Sequence, residues 1–233
     1  MRKRVRSDCA TKTSVNPIED DRGFVPVFRE IKRNLVMLRT VFSVCAGLAL
    51  LAGYSSVRAT EPEVKLNVGD AAPAFQVKDD TGKEWKSTDH VGKKIVVVYF
   101  YPADMTGGCT KQACGFRDDM KILADKGIEV VGISGDSVKN HQLFKKAHEL
   151  NFALLADTDG KVAEKFGVPV TPGEKTVKAT IDGKEESLTR TVTTARWTFV
   201  IDKSGKIAAK NTMVKAADDS KAIQELINGL EGK

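Results

Sequence analysis

The chain predicts an α/β domain of three layers, helices on both faces of a central mixed sheet, and three observations carry that expectation. Apolar β-type runs alternate with segments of helical period. The first of these runs, IVVVYFY at 95–101, is continuous and rich in β-branched and aromatic residues, as in strands buried on both faces of a parallel sheet. The pattern then closes on a hairpin and a last helix, which adds an antiparallel edge to a parallel start.

The elements follow in order. Phe75, Val77 and Trp85 flank the turn signal of residues 79–82, DDTG, and predict a small hairpin or extended entry. After the 95–101 strand comes a loop, PADMTGG. Residues 109–126 carry helical period, with Cys109, Ala113, Phe116, Met120 and Leu123 or Ala124 on one side, and Gly127 stands where helices stop. A second buried strand, IEVVGI, fits 128–133. Ser137 can cap a helix over 138–150 with Leu143, Phe144 and Ala147 inward. FALLA at 152–156 reads as a strand and 159–167 as a short helix. Residues 168–195 break the rhythm and read as a loop or an added hairpin turning at Asp182 and Gly183. Strands at 196–202 and 206–210 and a helix over 217–230, with Ile223, Leu226, Ile227 and Leu230 inward, complete the domain.

The N-terminal part reads differently. Residues 41–54, VFSVCAGLALLAGY, form an apolar run between Arg39 and Arg58. It is short of the roughly 20 residues a spanning helix needs and has the length of a signal-peptide core, with Val57 and Ala59 at small-residue cleavage positions. A leader counted from Met37 has the usual length, whereas one counted from Met1 is about twice the usual ~15–30 residues. The expected organisation is a leader over 1–59 with its true start at Met37, a linker over 60–69 and the domain over 70–233. The protein is then exported, to the periplasm or held at the membrane by an uncleaved leader, and cytoplasmic only if the leader does not function.

Of 37 Lys and Arg, 11 lie in residues 1–59, and of 31 Asp and Glu, 5 do, which leaves 26 of each in the remainder. The domain is formally neutral, and the electrostatic case for nucleic-acid binding falls away. Cys9 and Cys45 also belong to the leader, so the domain holds only Cys109 and Cys114. Two cysteines in about 174 residues are not a disulfide scaffold, because a core of that size supplies the stability. A C-x4-C pair offers two ligands where a structural zinc takes four, and His90, His141 and His148 add none that the pattern recommends. Neither a metal nor another cofactor is implied.

The pair needs a chemical reason, and its setting supplies one. Open α/β sheets place their sites at the carboxyl ends of parallel strands, which here is the PADMTGGC loop. Cys109 would stand in the first turn of a helix, where unpaired N–H groups and the helix dipole favour an anion and hence the reactive thiolate. Gly107 and Gly108 let backbone approach a small ligand, and Thr106 brings a hydroxyl. Asp104, Asp118, Asp119, His141 and His148 read as solvated, Gln112 as a helix-surface amide, and Trp85 and Trp197 as packing.

Pro102, Thr106 and Cys109 form P-x-x-x-T-x-x-C, which resembles the peroxiredoxin active-site motif. The stretch YFYPADMTGGCTKQACGFRDD is similar to the bacterioferritin-comigratory-protein branch, and the resemblance runs from about Val68 to the end of the chain, including ARWTFVIDKSGKI. It implies a thioredoxin-like fold and a thiol peroxidase acting on hydrogen peroxide and organic hydroperoxides, recycled by a thioredoxin-like dithiol protein, as a monomer or a homodimer. By the same resemblance Cys109 is the peroxidatic nucleophile, Cys114 the resolving cysteine, Thr106 the residue that orients the peroxide, Pro102 the shield of the thiolate, and Arg196 the active-site arginine. Two departures stand out. Gly107 replaces the proline usual in this branch, which should loosen the loop, and residues 168–195 are longer than expected before the arginine strand.

Helix geometry adds a requirement. Positions i and i+5 lie roughly 8–9 Å apart at Cα, beyond the ~7 Å a disulfide tolerates, so the start of this helix must unwind before Cys109 and Cys114 can join. A static structural disulfide is disfavoured on the same ground. Two other classes stay open from the residues alone. One is a thiol–disulfide oxidoreductase, which would want C-x-x-C; the other is a redox sensor that uses the unwinding to engage a partner.

Overall fold

The computed structural model describes residues 65–231. The leader, its apolar run and the first part of the linker lie outside the described residues, and among the described residues no helix is long and apolar enough to cross a membrane. The sheet is built on β3 (Ile95–Phe100), every residue of which is buried. It pairs in parallel with β4 (Ile128–Ser134), and β4 with β5 (Ala153–Ala156). Alternation along β3 divides the core in two. Ile95, Val97 and Tyr99 face one layer, which holds α1 (Gly107–Asp125), Phe144 of α2 (Val138–His148) and Ile223 and Ile227 of α4 (Asp219–Glu231). Val96, Val98 and Phe100 face the other, with Phe75, Trp85 and Val162 of α3 (Lys161–Lys165). The side chain of Leu230 lies outside the described residues.

Both edges of the sheet are antiparallel. On one side β8 (Trp197–Ile201) pairs with β3 and then with β9 (Ile207–Asn211), the edge expected from the sequence. On the other, the small hairpin of β1 (Gln76–Asp79) and β2 (Glu84–Lys86) joins through β1 to β5, giving seven strands in the order β2-β1-β5-β4-β3-β8-β9. Helix α1 stops at Gly127, whose φ of +69° is the left-handed conformation a C-terminal glycine serves. Ser137 caps α2 by accepting from the Asn140 N–H.

Residues 168–195 resolve as a hairpin. Strands β6 (Val170–Ile181) and β7 (Lys184–Thr194) form a separate two-stranded sheet turning at Asp182 and Gly183. One face supplies Ala179, Ile181 and Leu188 to the α1 layer. The hairpin is tied to residues just past the ends of β3 and β5 and to α2. Thr194 donates to the Tyr101 carbonyl at 2.9 Å, Asn140 to the Thr189 carbonyl at 3.0 Å, and Thr191 to the Thr158 carbonyl at 2.8 Å. Gly135 has to be a glycine there, because a Cβ would stand 2.4 Å from the Val192 carbonyl oxygen.

Candidate active site

The site forms where β3 ends and α1 begins. Thr106 is the N-cap of α1, with extended φ and ψ of −87° and 146°. Its hydroxyl donates to the Ala103 carbonyl at 3.0 Å rather than capping the helix. Having spent its one proton on Ala103, that hydroxyl can only accept from a ligand on its open side. Met105 just before it holds a positive φ of 60° and is buried, a conformation that needs support from its surroundings.

Cys109 sits in the first helical turn, beside backbone N–H groups that have no acceptor within the helix. Its side chain is 1 % exposed and packs with Met105, Ala113 and Phe116. Arg196, half-buried just ahead of β8, donates through Nη2 to Cys109 Sγ at 3.1 Å. Gly108 leaves room for that guanidinium: a Cβ there would lie 3.4 Å from Nη2. A buried sulfur flanked by orphan N–H groups and a permanent cation is a place where negative charge is stabilised. The structure thus brings Cys109, Thr106 and Arg196 together. Pro102 opens the same loop, half-buried. Cys114 is buried five residues further along the same unbroken helix, and Cys109 is a free thiol, so the two are not joined here.

Four expectations about polar residues need correction. Gln112 is 1 % exposed, not a surface amide. Its Oε1 accepts from Arg196 Nη1, and its Nε2 donates to Asp219 Oδ2 at 2.7 Å. Thr198 donates to the same oxygen at 2.8 Å. Helical spacing held the signal, since position 112 flanks the buried stripe of 109, 113 and 116. Nothing in the sequence marked Asp219, the first residue of a helix more than 100 positions away.

Asp104 and His141 are fully buried rather than solvated, and His148 is buried too. Asp104 receives Tyr101 Oη at 2.7 Å and pairs with His141 Nδ1 at 2.8 Å, while its own N–H donates to Asp136 Oδ2 at 2.9 Å. Asn140 and Ser134 complete the shell of Asp136. This network lies behind the loop and fixes the segment that carries Met105 and Thr106. Burial pushes the Asp104 carboxyl above its usual range despite the His141 contact. Burial works against the His141 cation as well, yet the charge and hydrogen bond of Asp104 lift that imidazole above its usual value. Of the remaining acids read as solvated, Asp118 is exposed and Asp119 half-buried, accepting from Ser220 at 2.9 Å.

The AhpC/TSA family profile matches residues 68–210. The chain belongs to that family. Among curated relatives it is similar to a putative peroxiredoxin bcp of Coxiella burnetii, 43 % identical over 152 residues, which cover 65 % of this chain and 92 % of that protein. It is also similar to a chloroplastic peroxiredoxin Q of Populus jackii, 42 % identical over 143 residues, covering 61 % of this chain but only 59 % of the poplar protein. Among solved structures, the peroxidoxin BcpB of Mycobacterium tuberculosis superposes with a TM-score of 0.58 at 31 % identity, over 71 % of this chain and 98 % of that one. The bacterioferritin comigratory protein of Xanthomonas campestris, studied for alkyl peroxide reduction, gives 0.56 at 26 %, over 70 % and 97 %. The thioredoxin-like peroxiredoxin fold and the peroxidase class expected from the motif are those of its family. It is a thiol peroxidase acting on peroxides, in a family that draws on thioredoxin-like reductants.

Proposed function

We propose that this peroxidase works through Cys109 as nucleophile and Cys114 as resolving thiol, on hydrogen peroxide and organic hydroperoxides. The observation that carries the assignment is the 3.1 Å contact of Arg196 Nη2 with the buried Cys109 sulfur at the start of α1. The thiolate displaces at one peroxide oxygen: an S–O bond forms, the O–O bond breaks, and the departing oxygen takes a proton to leave as water or alcohol. Cys109 is then a sulfenic acid. The orphan N–H groups and Arg196 stabilise the charge that moves onto the leaving oxygen. Thr106, as an acceptor, orients the peroxide O–H, and Pro102 shields the thiolate from water.

Cys114 attacks the sulfenic sulfur, releasing water and forming the Cys109–Cys114 disulfide. Both cysteines lie on α1, where ideal geometry holds them roughly 8–9 Å apart at Cα, so the first turns of α1 unwind in this step. A thioredoxin-like dithiol then exchanges with the disulfide and is itself oxidised. The leader over residues 1–59 would carry the enzyme out of the cytosol, which calls for an exported or membrane-coupled dithiol donor. Cell fractionation tests that part: protein found wholly in the cytosol with residues 1–59 intact contradicts it.

The residue roles are tested by peroxide consumption with a generic dithiol. Cys109→Ser should abolish turnover, and Cys114→Ser should allow one equivalent to react and leave a sulfenic acid. A Cys109→Ser protein that still turns over peroxide overturns the assignment.

A further inference from the structure

Asp219 has no part in the mechanism above, yet its placement is costly. It is 2 % exposed; Oδ2 accepts from both Gln112 and Thr198, while Oδ1 has no hydrogen-bond partner among the described residues. A buried carboxylate with one oxygen unmet is a poor source of net stability. What the carboxylate does achieve is to settle the direction of Gln112. A guanidinium can only donate and a carboxylate can only accept. The Gln112 amide therefore has one orientation that satisfies both neighbours: oxygen toward Arg196, nitrogen toward Asp219. Arg196 in turn meets Cys109 Sγ. The chain Asp219–Gln112–Arg196–Cys109 links the start of α4 to the reacting sulfur.

We propose that Asp219 is a positioning residue of the thiolate site, acting through Gln112 to hold the Arg196 guanidinium against Cys109, and that its hydrogen bond to Gln112 is a latch broken each time the helix unwinds. The second half rests on the assignment of Cys109 and Cys114 as the reacting pair. Gln112 lies between those cysteines, so joining them removes its side chain from the helix that aims it. Arg196 is then released and the Asp219 carboxylate is exposed to other partners. Reduction lets α1 rewind, and the same two bonds re-aim the arginine. Ser220, next to Asp219, packs on this part of α1 as well: it donates to Asp119, and a Cβ on Gly115 would stand 3.1 Å from its Oγ. The start of α4 is thus a platform against which the mobile segment docks.

The test uses the reduced full chain and two readouts: the rate of Cys109 alkylation by iodoacetamide at neutral pH, resolved by peptide mass spectrometry, and the thermal midpoint. Asp219→Ala should slow Cys109 alkylation and its reaction with hydrogen peroxide by about tenfold, the scale of one weakened charge-assisted hydrogen bond. It should also speed disulfide formation once Cys109 is oxidised. Asp219→Asn keeps an acceptor oxygen for Gln112 and Thr198, and should recover the alkylation rate to within about twofold of the parent chain. A folded Asp219→Ala protein with parental alkylation and peroxide rates overturns the proposal, as does an Asp219→Asn protein as slow as Asp219→Ala. If Asp219→Ala does not fold, Gln112→Leu carries the same prediction and is overturned by the same parental rates. Alkylation needs no peroxide, so slowed alkylation supports the positioning role even in a chain that fails to turn peroxide over.

Discussion

Two buried carboxylates, Asp104 and Asp219, anchor the networks around the site, and they differ in what they are tied to. Asp104 is held by Tyr101, His141 and, through its own N–H, Asp136, all on strand ends or helices that the reaction leaves in place. Asp219 is held by Thr198 and Gln112, and Gln112 lies on the stretch of α1 between the two cysteines, which unwinds in the proposed mechanism. Burial raises the proton affinity of both. The same chemical group therefore serves opposite needs. Asp104 makes the loop carrying Met105 and Thr106 permanent, while Asp219 makes the position of Arg196 conditional on a folded helix. The mechanism proposed above, with both cysteines on one helix, needs each of these. The loop has to stay preorganised for attack, and the helix has to give way for resolution.

Removing the partner of each carboxylate breaks the comparison with the largest effect. His141→Ala leaves Asp104 buried without its cation and should cost about 3–5 kcal/mol of unfolding free energy, read from urea midpoints. Gln112→Leu should cost no more than about 1–2 kcal/mol, because Thr198 still donates to Asp219. Equal losses in the two variants would remove the distinction.

A pH series sharpens it. Because Asp104 lifts His141 above the usual 6.5, the folded chain binds that proton more tightly than the unfolded one. The stability it contributes is fully present below pH 6.5 and is lost as pH rises through the higher folded value. Urea midpoints should decline above about pH 6.5 in the parent and lose that decline in His141→Gln. A parent that grows more stable across this range contradicts the pairing.

The smallest effect concerns Gly107. As the first residue of α1 it has open space around an added Cβ, and Thr106 before it is already extended, which suits a following proline. Gly107→Pro should stabilise the chain by about 0.4–1 kcal/mol and slow disulfide formation, measured by stopped-flow after a peroxide pulse. Destabilisation would show that this turn depends on the flexibility of glycine.

Much of this was legible in the sequence because it lay in local pattern. The continuous apolar run of β3, the glycine stop at 127, the serine cap at 137 and the turn at Asp182 and Gly183 are short-range signals, and each appears where expected. Cys109, Thr106 and Arg196 were legible through the motif, and the structure puts them together. The buried polar residues were not. A helix pattern scored on apolar residues takes Gln112, His141 and His148 for the wet face, since their partners come from elements tens of residues away. On α2 the buried positions 141, 144 and 148 do follow helical spacing. There the signal was the spacing of the histidines, and polarity hid it. The antiparallel join of β1 to β5 was equally out of reach, because no local feature says which strand an edge hairpin meets.

The most direct test of the account is a titration of the reduced full chain with hydrogen peroxide, followed by peptide mapping of every cysteine. One equivalent should convert Cys109 and Cys114 into a mutual disulfide, with loss of amide-exchange protection confined to the start of α1. Both thiols surviving several equivalents, or a Cys109 oxidised while Cys114 stays a thiol, would contradict it.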